Sequence, residues 1–266
     1  MTGYKMFVDP SISVEFQVAA MKFGHTMVPP GVYRRNSSCD FKPFSLRNGS
    51  AERLCNTFWE RKGFVSGHDV DELLLGMCSQ IAEKEDHIIV EDLLDSMYGP
   101  LKSTRVDLMA VNIQRGRDHG VPSYNSVRRA LNLQPASSWT DIRNNIDGLI
   151  VKQLEELYGD VSNLELWPGG LLESDGEPGV LFSAIIQEQF QRLRDGDRFW
   201  FENTNNGLFT DDEVIIIQNM TFSNVLKTVL PQESISFQEN VFFWHTGLYT
   251  LRDLFGKKSH SDTQSI

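Results

Sequence analysis

Apolar residues recur every three or four positions along most of the chain, which is the spacing of one face of an α-helix. The stretch SISVEFQVAAMKFGH (11–25) is the first example, and Ser11 or Ser13 is placed to cap it. The one stretch with a strand-like alternation is NVFFWH (240–245). The pattern therefore predicts an all-α fold with little or no β structure.

A second helix is predicted over residues 68–86, with its acidic side chains outward and its apolar stripe inward, namely Leu73, Leu74, Met77 and Ile81. Further helical segments are predicted at 89–99, 103–120, 123–133, 140–159 and 180–203. Candidate helix caps are Ser103, Ser123, Thr140, Thr210 and Thr221. The glycines of LWPGGLLESDGEPG (166–179) predict a turn rather than a loop that holds a nucleotide phosphate.

The composition is that of a globular protein, with 40% hydrophobic and 23% charged residues among 266. Its formal net charge of −11 argues against binding to nucleic acid. Neither a signal peptide nor a run long enough to span a membrane is visible. No linker or repeat divides the chain, so residues 1–250 are predicted as one all-α unit, or part of one, and 251–266 as a polar, disordered tail.

The cysteines and sequons point weakly to an oxidising compartment. Cys39 and Cys55 bracket an Asn- and Ser-rich loop and form a candidate disulfide, whereas Cys78 lies in an apolar helical pattern and is predicted to be a buried thiol. Three glycosylation sequons begin at Asn36, Asn48 and Asn219, but sequons this short also arise by chance.

Candidate chemistry begins with His25, one of six histidines, which closes an apolar run just before Pro29 and Pro30. A lone histidine is more often structural than functional, and spacing alone does not overturn that interpretation. No His-x-x-x-His or Cys-x-x-Cys pair offers a local zinc site, and no Gly-x-Ser-x-Gly elbow occurs.

The densest polar cluster is VNIQRGRDHG (111–120), in which Asn112 and Arg115 share a helix face. A buried Asn needs a partner, and its amide could orient an imidazole by accepting Nδ1–H while Nε2 stays free to bind a metal. Arg115 could then meet an anionic group of the same ligand. The alternative is a capping and ion-pair knot in which Asp118 pairs with the arginines.

Three motifs resemble those of the animal haem peroxidases. NIQRGRDHGVPSYNSVRRALNL (112–133) is similar to a stretch typical of that superfamily, KFGHT (22–26) to its proximal-histidine helix, and FQRLRDGDRFWFEN (190–203) to a third hallmark segment. Within the superfamily, TMVPPGVYRRNSSC, HDVDELLLGM, FWFENTNNGLF and NVFFWH resemble the peroxidase-like ectodomain of dual oxidases. The match covers most of residues 10 to 245.

The resemblance implies a role for several residues. His25 would be the proximal axial ligand of the iron of haem b, Asn112 the partner of its imidazole, and Arg115 a contact of a haem propionate. Lys22 stands where better-known members carry an arginine, so that propionate contact would be weaker. Asp118 and His119 would hold the helix end, and an ion-pair knot would join Arg194, Asp195, Asp197 and Arg198.

The resemblance also implies that residues 1–250 are the C-terminal (proximal) portion of the family's domain. The family's distal histidine and arginine, its calcium site and the acids that esterify haem are expected upstream of the proximal helix, so no catalytic residue is assigned in this chain. The resemblance implies a peroxidase that uses hydrogen peroxide to oxidise a phenolic or small anionic reductant. Its parent protein would carry a membrane NADPH-oxidase portion and face the extracellular side. The alternative from a different class is a haem-free peroxidase-homology module that serves maturation or protein contact.

Overall fold

Helices dominate the protein, as the sequence predicts. A computed structural model describes residues 3–38, 40–41, 51–59, 66–99, 101–142, 146–230 and 239–243. The α-helices there are α1 (Val14–Val18), α2 (Leu54–Thr57), α3 (Gly67–Met77), α4 (Glu91–Asp95), α5 (Leu108–Asp118), α6 (Tyr124–Ala130), α7 (Gly148–Tyr158), α8 (Leu166–Leu172), α9 (Val180–Gly196), α10 (Asp211–Gln218) and α11 (Phe222–Val229). Short 3₁₀ helices span Ala20–His25, Lys102–Thr104, Trp139–Ile142, Val161–Asn163 and Thr204–Asn206.

The β structure within these residues is one antiparallel pair of strands, β1 (Gly31–Tyr33) and β2 (Ala51–Arg53), in which Val32 lies opposite Glu52, together with two isolated bridges. The prediction of an all-α fold with little β is therefore confirmed. The candidate strand at 240–245 is wrong in its described part, because the backbone N–H of Phe242 bonds to Asn240 Oδ1 and turns the chain at 240–243. No helix in the described residues is long and apolar enough to cross a bilayer.

Contacts divide the chain into two compact units. The first comprises Met1–Pro30 and Ala82–Phe209, and the second comprises Gly31–Ile81 and Thr210–Ile266. The single domain proposed from the sequence for 1–250 remains a prediction. Each unit has an apolar cluster of its own among the described residues.

The first unit is built on side chains of α8, α9 and the segment before α8. Leu164, Leu171, Leu181 and Phe182 are at most 2% exposed, and they pack in one cluster with residues of α6 and α7. The predicted turn is wrong for Gly169 and Gly170, because LWPGGLL forms α8, whereas Gly176, with φ of +89°, lies in the bend that follows the helix. Gly169 and Gly170 are buried there, against the rings of Tyr124 and Phe182, so their lack of a side chain serves close packing.

Two predicted caps in this unit are also wrong. Helix α5 begins after Asp107, whose carboxylate accepts from two backbone N–H groups, and not at Ser103. Helix α7 begins after Asp147 rather than at Thr140. An aspartate at the N-cap accepts backbone N–H groups and also interacts favourably with the positive end of the helix dipole. In both helices the N-cap is therefore the later, acidic residue and not the predicted hydroxyl residue.

In the second unit, α3 packs against β1. Gly76 lies so close to the Tyr33 carbonyl that a methyl group would overlap it, and Gln80 Nε2 donates to the carbonyl of Gly31 at 2.6 Å. Helix α3 ends at Met77 and not at residue 86 as predicted, and its most buried large apolar side chain is Leu75, which is 6% exposed. Met77 and Ile81 are exposed, which corrects the predicted inward positions.

The same helix buries an acid that the sequence predicts to face outward. Glu72 is 8% exposed and pairs with Arg34 at 2.6 Å, so the charge is compensated. The predicted caps Thr210 and Thr221 are confirmed, since each forms a reciprocal capping box at the start of its helix.

Several predictions concern residues outside the described part of the chain, namely Cys39, Asn48 and the tail 251–266. The Cys39–Cys55 disulfide therefore stays a prediction, as does glycosylation. Cys78 is half-buried rather than fully buried as predicted, and burial raises the pKa of its thiol. Asn219 is exposed at the end of α10, and Asn36 is half-buried.

Candidate functional site

His25 is the last residue of the 3₁₀ helix Ala20–His25, which follows α1 directly. Ala19 and Ala20 are fully buried, and such small side chains let the segment pack closely against α8 and α9. The end of the helix is fixed by Thr26, which is 1% exposed and whose hydroxyl donates to the Phe23 carbonyl at 2.9 Å. The half-buried imidazole therefore stands on a well-anchored turn.

The residues that precede α1 are held by a second set of hydrogen bonds. Gln189 of α9 is fully buried; its Oε1 accepts the Ser13 backbone N–H at 2.8 Å, and its Nε2 donates to the Ser11 carbonyl at 3.2 Å. Both ends of this buried amide are satisfied, as a buried polar group requires. The entry into α1, and with it the direction of the histidine segment, is thereby tied to α9.

Asn112 lies in the middle of α5, on the side that faces α1 and α8. Its side chain is 1% exposed, and its amide nitrogen lies 2.9 Å from His25 Nδ1. The structure thus joins two residues 87 positions apart that the sequence proposes as partners. Because a carboxamide has two ends of the same shape, rotation about its last torsion can present either a donor or an acceptor to the ring.

The environment favours the neutral form of the His25 imidazole. Burial is the main cause that lowers its pKa below the ordinary 6.5, and the nearby Lys22 ammonium adds to the effect; the hydrogen bond with Asn112 acts in the opposite direction. A neutral ring is the form that can bind a metal. Nε2 of His25 makes no hydrogen bond within the described residues.

Two cations lie beside this pair. Lys22 is half-buried, and burial followed by the charge of Arg115 lowers the pKa of its ammonium. The structure therefore brings together the four residues proposed from the sequence, Lys22, His25, Asn112 and Arg115. Neither cation has an ion-pair partner among the described residues, so both are available to an anionic ligand.

Two glycines of the same segments face open space. A methyl group added at Gly24 or at Gly116 would meet nothing within 4 Å among the described residues. A neutral imidazole, two cations and open space fit a flat, iron-centred group that carries carboxylates. In that arrangement His25 would hold the iron, while Lys22 and Arg115 would face the acidic edge.

The arginine–aspartate knot considered as the alternative is not formed at the end of α5. Arg117 pairs with Glu165, with Nε 2.6 Å from Oε1, and Tyr158 donates to the same carboxylate at 2.8 Å. Asp118 instead accepts from Gln114 at 2.7 Å. Burial alone would raise the pKa of Glu165, but the bonds from Arg117 and Tyr158 outweigh it and lower the pKa.

His119 is the C-cap of α5, and its Nδ1 lies 2.9 Å from the Arg115 carbonyl oxygen. Gly120 follows with φ of +63°, the left-handed conformation that favours glycine after a helix. Asp118 and His119 thus take part in the hydrogen bonding that ends the helix, in keeping with the structural role inferred for them.

The ion-pair knot predicted at the end of α9 forms only in part. Asp195 is buried and pairs with Lys5 at 2.7 Å and with Arg194 at 2.9 Å. Asp197 instead accepts from the backbone N–H of Phe199, and Arg198 lies over the Phe199 ring. Because Asp197 follows the last helical residue, its side chain leaves the face that carries Asp195.

Sequence reasoning missed two residues next to Asn112. Trp167 and Glu165, from the start of α8, line a small cavity together with it. The mistaken interpretation of LWPGGLL as a turn hid both, since a turn does not place side chains against α5. A buried Trp among small residues was the available signal.

The mostly helical architecture is that of the haem peroxidases. Peroxidase A of Dictyostelium discoideum superposes with a TM-score of 0.66 at 31% identity, over 83% of this chain and 43% of that one. The Oryza sativa fatty acid alpha-dioxygenase superposes with a TM-score of 0.67 at 20% identity, over 90% of this chain and 41% of the other, which is a likeness of fold alone. The chain belongs to the animal haem peroxidase family, whose model matches residues 1–242.

The curated relatives that the chain matches are dual oxidases. The chain is 52% identical over 255 residues to dual oxidase 1 of Sus scrofa, and 51% over 252 residues to dual oxidase 2 of Homo sapiens. It is 43% identical over 249 residues to the dual oxidase of Drosophila melanogaster. Each alignment covers 92% of this chain and 16% of the relative, so the chain spans about a sixth of those proteins. It is a peroxidase-like domain of dual-oxidase type.

Proposed function

We propose that this chain forms the proximal side of a haem site, with His25 as the axial ligand of the iron. The observation that carries the proposal is the 2.9 Å contact between His25 Nδ1 and the buried Asn112 amide, which leaves Nε2 without a hydrogen bond among the described residues. A hydrogen-bond partner on one ring nitrogen fixes the orientation of a histidine ligand and frees the other nitrogen for the metal.

The cations complete the proposed site. Arg115 and Lys22 would neutralise the two propionates of haem b, and a lysine would do so as a point charge rather than with the planar fork of an arginine. Burial and Lys22 keep His25 neutral, so no proton has to leave before the ring binds iron.

When bound, haem would supply the redox chemistry by which hydrogen peroxide is reduced and a phenolic or small anionic donor is oxidised. Peroxide cleavage also needs a group that moves a proton between the two oxygens and a cation that stabilises the developing charge. We assign neither to this chain. Its own residues would bind the iron through His25, orient the imidazole through Asn112 and hold the propionates through Lys22 and Arg115.

The similarity to dual oxidases supports a wider setting for the domain. The parent protein would place it on the extracellular side of a membrane, next to an NADPH-oxidase portion that delivers the peroxide. A haem-free module for maturation or protein contact is the competing proposal, and it predicts no haem ligation by His25.

Titration of the 266-residue chain with haemin tests the proposal. We expect a Soret band typical of histidine-ligated haem in the wild type and in His87→Ala, a matched control outside the site, and its loss or shift in His25→Ala. Equal spectra for all three proteins would overturn the axial-ligand assignment. Absence of a haem spectrum in the wild type would favour the haem-free module.

A further inference from the structure

A small, partly enclosed cavity lies between α5 and the start of α8. Its volume is about 40 Å³, and its polar lining consists of Asn112, Arg117, Glu165 and Trp167, with the remainder mostly apolar. A water molecule needs roughly 10–15 Å³ of such space and two or more polar partners. The cavity is therefore large enough for at least one water.

Two buried polar groups at this cavity have unused hydrogen-bonding capacity. Trp167 is 4% exposed, and its indole N–H finds no acceptor among the described residues. The Asn112 side chain makes one hydrogen bond in the described part of the chain, the one to His25, so the other end of its amide is unused. Leaving a buried donor unpaired costs it the hydrogen bond that it makes with water in the unfolded chain, which is why such groups are nearly always satisfied.

The charges around Asn112 decide which end of the amide faces the cavity. Lys22 and Arg115, near the imidazole, are cations without an ion-pair partner among the described residues, and they attract the oxygen end of the amide dipole. The cavity instead carries the Glu165 carboxylate, which favours the N–H end. That carboxylate, held by Arg117, also argues against an anion in the cavity.

We propose that the cavity holds an ordered water that accepts hydrogen bonds from Trp167 Nε1 and from Asn112 Nδ2 and donates one to Glu165. The water then fixes the Asn112 amide with Oδ1 toward His25, where it accepts Nδ1–H and leaves the lone pair on Nε2. Trp167 is thus a positioning residue for His25. The water and the amide orientation do not require haem, whereas their importance for iron binding rests on the proposed function.

Nuclear magnetic resonance of the haem-free chain, labelled with ¹⁵N in its Trp and His rings, tests the inference. We expect a cross-peak between Trp167 Nε1–H and a long-lived water, and a His25 ring that carries its proton on Nδ1. In Trp167→Phe we expect the ratio of the Nδ1–H to the Nε2–H tautomer to fall about fivefold, which corresponds to about 1 kcal/mol at 1.4 kcal/mol per factor of ten.

Trp139→Phe is the matched control, because that indole is also buried but already donates to the Gly159 carbonyl at 2.8 Å. It should leave the His25 tautomer unchanged. A Trp167 N–H without a water cross-peak in the wild type would overturn the inference even if the variant did not fold. Equal tautomer ratios in the two Phe variants would do so as well. So would a Trp167 N–H resonance whose chemical shift changes with added bromide, because it would indicate an anion in the cavity instead of water.

Discussion

The packing of α8 gives a prediction that separates two glycines of the same unit. Gly170 lies in the middle of α8, and a methyl group there would overlap the ring of Phe182, which is fully buried. Gly116 lies in the last turn of α5, where a methyl group would meet nothing within 4 Å. We therefore expect Gly170→Ala to destabilise the unit and Gly116→Ala to stabilise it.

The magnitudes follow from two opposing effects. Overpacking a rigid core costs roughly 1–3 kcal/mol, and a ring with no free space lies at the upper end. Replacing Gly by Ala in a helix gains up to about 1 kcal/mol. The net expectation is a loss of about 2 kcal/mol for Gly170→Ala and a gain of about 1 kcal/mol for Gly116→Ala.

Urea unfolding of the haem-free variants, followed by circular dichroism and by tryptophan fluorescence, measures both changes in the free energy of unfolding. Thermal unfolding gives a second measure. At roughly 2–4 °C per kcal/mol for a chain of this size, the melting temperatures of Gly170→Ala and Gly116→Ala should differ by about 6–12 °C. Equal stabilities, or a more stable Gly170→Ala, would refute the packing of α8 against α9 described here.

Two further predictions concern pH. Because burial and Lys22 lower the pKa of His25, the unfolded chain binds a proton near pH 6.5 that the folded chain does not; stability should fall as pH drops from 7 toward 5, and less so in His25→Gln. Identical pH slopes by urea titration would contradict this. Glu85 is 1% exposed, neither of its carboxylate oxygens has a hydrogen bond that meets normal geometry within the described residues, and its pKa is raised chiefly by burial, against a smaller lowering by Ser174. Its contribution to stability is therefore favourable below about pH 4.5 and is lost as pH rises through the raised pKa. Glu85→Gln should stabilise the chain by roughly 1–3 kcal/mol at pH 7 but not at pH 4. The control Glu83→Gln, at an exposed position, should leave the stability unchanged at both pH values.

The sequence predicted the helical class well, because apolar periodicity reports which residues are buried. It predicted helix bounds less well. The segment 11–25 carries a continuous helical pattern, yet α1 ends at Val18 and a 3₁₀ helix carries His25. Tertiary contacts of the buried Ala19 and Ala20 decide that change, and periodicity alone does not record them.

Of the candidate site, too, the sequence predicted some features and not others. Asn112 and His25 could be paired only through the family resemblance, because nothing in local spacing joins residues 87 positions apart. Arg117 shows what local spacing does not predict, since its partner is Glu165 at the start of α8 and not the neighbouring Asp118. Trp167 was missed because its role depends on a cavity between two helices, which is a property of the folded chain.

Imidazole rescue tests the central claim most directly. In His25→Gly, removal of the ring should abolish the Soret band of the histidine-ligated chain, and added free imidazole should restore it by occupying the vacated position beside Asn112. His87→Gly should bind haem as the wild type does, with no response to imidazole. A His25→Gly variant that binds haem with the wild-type spectrum before imidazole is added would contradict His25 as the iron ligand.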